Sequence, residues 1–104
     1  SQYRPDLDLV AVAPDGTLAA FCIGGIEDEE RHIGYTDPIG THPAYRRLGL
    51  AAALVSSVMH RMADQCVLKV TTGTSSANTG MQRLAESLGF QLVSETLWFS
   101  KVVA

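Results

Sequence analysis

Apolar and polar residues alternate along this chain with two different periods, and the change of period marks its elements. The run Asp8 to Ala13 (Asp-Leu-Val-Ala-Val-Ala) is short and apolar, and it ends at Pro14-Asp15-Gly16-Thr17. Proline presets a turn there and glycine supplies positive φ. A second apolar run, Leu18 to Ile23, stops at Gly24-Gly25, so the pair predicts an antiparallel hairpin with a slightly long loop. Ile33 to Thr41 has strand composition but holds Pro38 in its middle. Proline cannot donate to a ladder, so a bulge or a splayed edge is predicted. After His42-Pro43 the period becomes helical: Leu50, Leu54, Val55, Val58 and Met62 mark a core-facing stripe that runs to about Ala63. Ser56, Ser57, His60 and Arg61 fall on the outer side. Val67 to Thr71 reads as a β-branched strand and Thr72 to Ser76 as a small-residue loop. Met81, Leu84 and Leu88 mark a second helix that Gly89 closes. Phe90 to Val93 and Leu97 to Val103 read as two further strands.

The order β, β, β, α, β, α, β, β predicts an α+β (mixed α/β) fold. Hairpins lead into a strand, helix, strand crossover, which puts a parallel pair at the centre of a mixed sheet with helices packed on it. With 104 residues, the chain holds a single domain spanning residues 1 to 104. A net charge of −3 lacks the basic footprint of a nucleic-acid binder, and charges interrupt the apolar runs too often for a membrane span. Neither nucleic acid nor membrane is an expected partner. Cys22 and Cys66 lie far apart and read as free thiols, and His32, His42 and His60 show no metal spacing with them, so no metal is expected. No apolar segment follows a basic one at the start, which makes the cytoplasm the expected location. The opening Ser1-Gln2-Tyr3, directly ahead of a strand, reads as a fragment or a shortened form. Glu27 to Arg31 is a charged cluster, read either as a solvated turn or as a docking site for a basic substrate.

The stretch richest in chemistry is Arg46-Arg47-Leu48-Gly49-Leu50-Ala51, at the junction of strand and helix. A helix N-terminus leaves backbone N–H groups unpaired and carries partial positive charge, so a loop wrapped there suits a phosphate. Gly49 and Ala51 allow close approach, and Arg46 and Arg47 add fork-shaped cationic donors. The bland reading is a small-residue helix start flanked by solvated arginines. No Gly-Lys-Ser/Thr follows, which excludes a Walker A loop, and the dinucleotide glycine pattern is absent as well.

These residues resemble the pyrophosphate loop of the GNAT superfamily of N-acetyltransferases, (Gln or Arg)-x-x-Gly-x-(Gly or Ala), at Arg46, Gly49 and Ala51. Ile39-Gly40-Thr41-His42-Pro43 precedes the loop in the style of the family's Val-x-Pro strand end. Asn78 ahead of Leu88-Gly89-Phe90 is similar to its Asn…Leu-Gly-Phe region. The resemblance covers about Asp8 to Val103. It implies acetyl transfer from acetyl-coenzyme A to a primary amine of a small molecule or protein. Backbone amides of Arg47, Leu48, Gly49, Leu50, Ala51 and Ala52 would hold the pyrophosphate, and Ile39, Gly40 and Thr41 would pair with the pantetheine arm like an added strand. An amide near Gly40 or Thr41 would polarise the thioester carbonyl. Asn78 would contact the cofactor arm or serve as a helix N-cap. Asp37 is the candidate base, against a role capping the turn before Pro38, and His42 is the second candidate. Tyr35 either lines the acceptor pocket or packs across strands.

The family's usual general-acid tyrosine corresponds to Ala85 here. That departure leaves room for a different reading, a non-catalytic acyl-coenzyme A binding or regulatory domain. The strand and two helices that usually precede the first hairpin are also lacking. Their place would be taken by the rest of a longer chain or by a second copy, and a homodimer is expected.

Overall fold

The computed structural model of the chain describes residues 5–28, 30, 32–46, 48–73, 79–92 and 98–103, and for Asp28, Asp37, Thr79 and Trp98 the backbone alone. Its strands are β1 (Asp8–Val12), β2 (Leu18–Asp28), β3 (Ile33–Thr41), β4 (Lys69–Gly73), β5 (Gln91–Leu92) and β6 (Trp98–Val102), and its helices are α1 (Leu50–Asp64) and α2 (Thr79–Ser87). The strands form one sheet in the order β1-β2-β3-β4-β6-β5, so the predicted succession of elements stands. β3 and β4, joined through α1, are the parallel pair at its centre, and the remaining neighbours are antiparallel. The β1–β2 turn closes as its residues dictate. Ala13 N–H donates to Thr17 C=O at 2.8 Å, Gly16 takes φ +90°, and the Asp15 carboxylate accepts from Thr17 N–H at 2.9 Å. That bond holds the Asp15 carboxyl below its usual range. Among the described residues no helix is long and apolar enough to cross a membrane.

One boundary differs from the sequence reading. β2 does not stop at Ile23 but runs through Gly24-Gly25 to Asp28. These glycines serve close approach instead of a turn. A Cβ on Gly24 would lie 2.7 Å from Val58 Cγ1 and 3.0 Å from the Leu7 carbonyl oxygen, directly under α1. On the other face, a Cβ on Gly25 would meet the ring of Tyr35 and one on Gly40 the ring of Phe21. Each aromatic ring lies over a cross-strand glycine.

Both helices share one core on one face of the sheet. Leu7, Cys22, Val55, Val58, Met59, Met62, Val67, Val70, Ala85, Phe90 and Phe99 form it, and α1 lies across β1, β2 and β3. Met59, which the helical stripe omitted, is buried, and Leu50, which it included, is only half-buried because it starts the helix at the rim. Arg61 donates to Asp6 C=O at 3.0 Å and Gln65 Nε2 to Asp6 Oδ2 at 2.7 Å, tying the 3₁₀ turn Pro5–Leu7 to the end of α1. On the other face Val10 and Val102 stay more than half exposed.

The two helices end in the same motif. At α2, Gly89 takes φ +87°, Gly89 N–H donates to Glu86 C=O, Phe90 N–H donates to Ala85 C=O, and Lys101 Nζ donates to Leu88 C=O. At α1, Cys66 takes φ +68° and donates to Ala63 C=O while Val67 N–H reaches Met62 C=O at 3.0 Å. Val67 is thus spent on closing the helix. The strand read from Val67 to Thr71 starts two residues later, at Lys69, and extends to Gly73. Cys66 occupies a left-handed position where glycine carries no steric penalty. Cys66→Gly is therefore expected to stabilise the fold by about 0.5–1 kcal/mol, after the added freedom of the unfolded chain is subtracted. The measurement is the urea midpoint at unchanged slope, and a lower midpoint would contradict the cap assignment.

Candidate functional site

Pro38 shapes the site. In the β2–β3 register Cys22 faces Ile39 and Gly24 faces Thr36, so Asp37 and Pro38 together stand opposite Ile23 alone. This is the bulge that a proline without an N–H imposes on an antiparallel pair. Pairing of β3 with β4 covers only Ile33↔Lys69, Gly34↔Val70 and Tyr35↔Thr71. Beyond Tyr35, β3 continues to Thr41 with β2 on one side, while β4 continues to Gly73 with β6 on the other. A wedge opens between them, and among the described residues no strand fills it. Its closed end carries a side-chain stitch, in which Thr72 Oγ1 donates to Thr36 C=O at 2.8 Å.

The open end runs into the start of α1. His42 N–H continues the β2 contact to Ala19 C=O at 2.8 Å. Its Nδ1 accepts from Ala44 N–H at 3.1 Å and caps the 3₁₀ turn Pro43–Tyr45. The His42 ring meets Tyr45 edge-on at 5.6 Å. Arg46 is extended and exposed, Leu48 is exposed, and Gly49 takes φ +75° as the N-cap of α1 with no side-chain cap. Ala53 N–H, bonded to Gly49 C=O at 3.0 Å, is the first amide in the helix ladder. The amides of Leu50, Ala51 and Ala52 ahead of it have no partner within the helix. A Cβ on Gly49 would meet nothing within 4 Å, so the approach to these amides is open.

Along the chain, the β3 residues Ile39, Gly40 and Thr41 are followed, after the turn Pro43–Tyr45, by the helix start at Leu48 to Ala52. Ile39 packs its side chain against the core. Because His42 bonds Ala19 across the pair, the alternation turns the backbone groups of Gly40 to Phe21 on β2 and those of Ile39 and Thr41 to the wedge. Arg47, Asn78 and the side chain of Asp37 lie outside the described residues. Ala85 is buried in the core. Cys22 is also buried there, and desolvation, with the nearby Asp8 charge, pushes its thiol up to about 12, which leaves it protonated and non-nucleophilic at neutral pH. Cys66 is exposed and free. Thr36 and Thr72 escaped the sequence reading, although Gly34–Thr36 and Val70–Thr72 alternate in step with the buried face and could have flagged them.

No curated protein matches this sequence. Solved structures do share its fold. An acetyltransferase of the GNAT family from Staphylococcus aureus superposes with a TM-score of 0.84 at 12% identity, covering 91% of this chain and 66% of its own. The protein yncA from Salmonella typhimurium, solved with its cofactor acetyl-CoA, gives 0.73 at 19% identity over 88% and 62%. The ribosomal-protein-S18-alanine N-acetyltransferase from Escherichia coli gives 0.76 at 20% identity over 97% and 72%. The chain spans about two thirds of the length of these structures. The model of the acetyltransferase (GNAT) family matches residues 2–90, and the chain belongs to that family.

Proposed function

We propose that this chain transfers an acetyl group from acetyl-coenzyme A to a primary amine. The observation that carries the reading is the wedge: an unpaired β3 edge beyond Tyr35 that leads to the uncapped N-terminus of α1. An extended arm bearing amides and ending in a phosphate finds, in order, backbone groups at Ile39 and Thr41 and the amides at Leu50 to Ala52 that lie ahead of the helix ladder. Arg46 and Arg47 supply positive charge beside the phosphates. Asn78 serves the arm. A similar structure, yncA, was solved with acetyl-CoA.

In the reaction the amine must lose a proton before it attacks the thioester carbon. Asp37, in the bulge, takes that proton directly or through a water. His42 is the second candidate; because its Nδ1 accepts in the cap, the neutral ring carries its proton on Nε2, so His42 takes the amine's proton only on Nδ1, by giving up that bond. An amide near Gly40 or Thr41 steadies the oxygen on which charge builds. A second reading, an acyl-coenzyme A binding domain without turnover, is favoured by Ala85, a buried residue without a proton to give.

The test mixes the chain with acetyl-coenzyme A and a panel of amines and follows the release of free thiol. Amine-dependent release is expected. Binding without turnover on any amine would select the second reading, and absence of binding would overturn both. Gly49→Val should raise the Kd for acetyl-coenzyme A about tenfold, because a β-branched residue leaves the left-handed region and turns the helix-start amides away. Unchanged affinity would refute the pyrophosphate assignment.

A further inference from the structure

Thr36 is the first β3 residue past the last rung shared with β4, and Thr72 is its counterpart on β4. Both are buried, Thr36 with 0% exposure. Their two hydroxyls are not equivalent. Thr72 Oγ1 spends its proton on Thr36 C=O at 2.8 Å, whereas Thr36 Oγ1 has no hydrogen-bond partner. An unpaired buried hydroxyl destabilises a fold, and valine would match threonine in shape and strand preference without that cost. The fold therefore gains nothing from this hydroxyl as it stands.

Its position indicates what the group can do. Gly34, two residues earlier on the same face, would press a Cβ to 2.8 Å from Met62 Sδ of α1, and the partner of Thr36 is Gly24, which lies under Val58 of α1. Thr36 thus faces the helix side of the sheet, the side from which an arm held at the start of α1 descends into the wedge. The wedge closes at this residue, so the end of such an arm stops beside it.

We propose that the Thr36 hydroxyl is the hydrogen-bond donor to the leaving sulfur at the closed end of the wedge. The proposal rests on the acetyl-coenzyme A reading. As the amine nitrogen bonds to the carbonyl carbon, the carbon–sulfur bond breaks and its electron pair stays on sulfur. The proton lost by the amine goes to Asp37 or water. Thr36 keeps its own proton, being far less acidic than a thiol, and stabilises the thiolate through an O–H···S⁻ bond of the charge-assisted kind. The thiolate takes a proton from solvent on release.

Thr36→Val and Thr36→Ser in the full chain test this. The first readout is the pKa of the bound coenzyme A thiol, followed by ultraviolet absorbance, with the desulfo-coenzyme A complex subtracted to remove Cys22 and Cys66. Thr36→Val is expected to raise that pKa by about one unit and to slow amine-dependent thiol release about tenfold, with folding stability unchanged or increased. Thr36→Ser is expected to restore both readouts. A wild-type thiol pKa and wild-type turnover in Thr36→Val would overturn the proposal while leaving the acetyl-coenzyme A reading in place. Loss of folding stability in Thr36→Val without rescue by serine would overturn it in favour of a packing role. A wild-type chain that binds neither coenzyme A nor acetyl-coenzyme A would overturn the underlying reading and the proposal with it.

Discussion

Gly24→Val is expected to destabilise the fold by about 3 kcal/mol or more, at the upper end of what overpacking a core costs. The first added carbon would already sit 2.7 Å from Val58 Cγ1 and 3.0 Å from both Met62 Cε and the Leu7 carbonyl oxygen. Side chains can rotate away, but the Leu7 carbonyl is backbone, pinned through the Asp6 bonds to α1. The two further methyls of valine would force α1 off the sheet. For a domain of this size, such a loss lowers the melting temperature by roughly 12 °C or more. Gly16→Ala provides the contrast. Its Cβ would meet nothing within 4 Å, so only the strain of φ +90° remains, about 1 kcal/mol. If packing is the cause, Val58→Ala should recover part of the loss in a Gly24→Ala background, measured as coupling in a double-mutant cycle of urea midpoints. Additive effects would mean that α1 does not bear on Gly24.

Asp37→Asn is expected to lower turnover about a hundredfold with the acetyl-coenzyme A Kd unchanged, since general-base contributions begin near that size. Asparagine matches the shape of aspartate and caps turns as well, so a purely structural Asp37 would tolerate the change. It removes only the ability to take a proton. The measurement is kcat for thiol release together with Kd from direct binding. Full turnover in Asp37→Asn would assign the proton to another group, with His42 the next to replace.

Local chemistry made much of this molecule legible in advance. Pro14-Asp15-Gly16 announced its turn, the Leu54/Val55/Val58/Met62 stripe its helix, Gly89 its cap and Pro38 its bulge, because each depends on residues a few positions away. The loop from Arg46 to Ala51 could be recognised for the same reason. Other features were decided by contacts between distant positions. Gly24-Gly25 looks like a stop, and only Val58 and Met62 across the core and Tyr35 across the sheet reveal it as a place of close approach. Cys66 in a left-handed cap follows from the need to bury Val67, which no propensity of cysteine foretells. The wedge opens beyond Tyr35↔Thr71, next to the Asp37–Pro38 bulge, and only the pairing of β3 with β2 and with β4 fixes that place. The same place leaves one threonine hydroxyl bonded and the other bare. The sequence alone determined which segments become strands and helices. The tertiary structure decided which faces meet, because close packing is settled by the space between residues far apart in the chain.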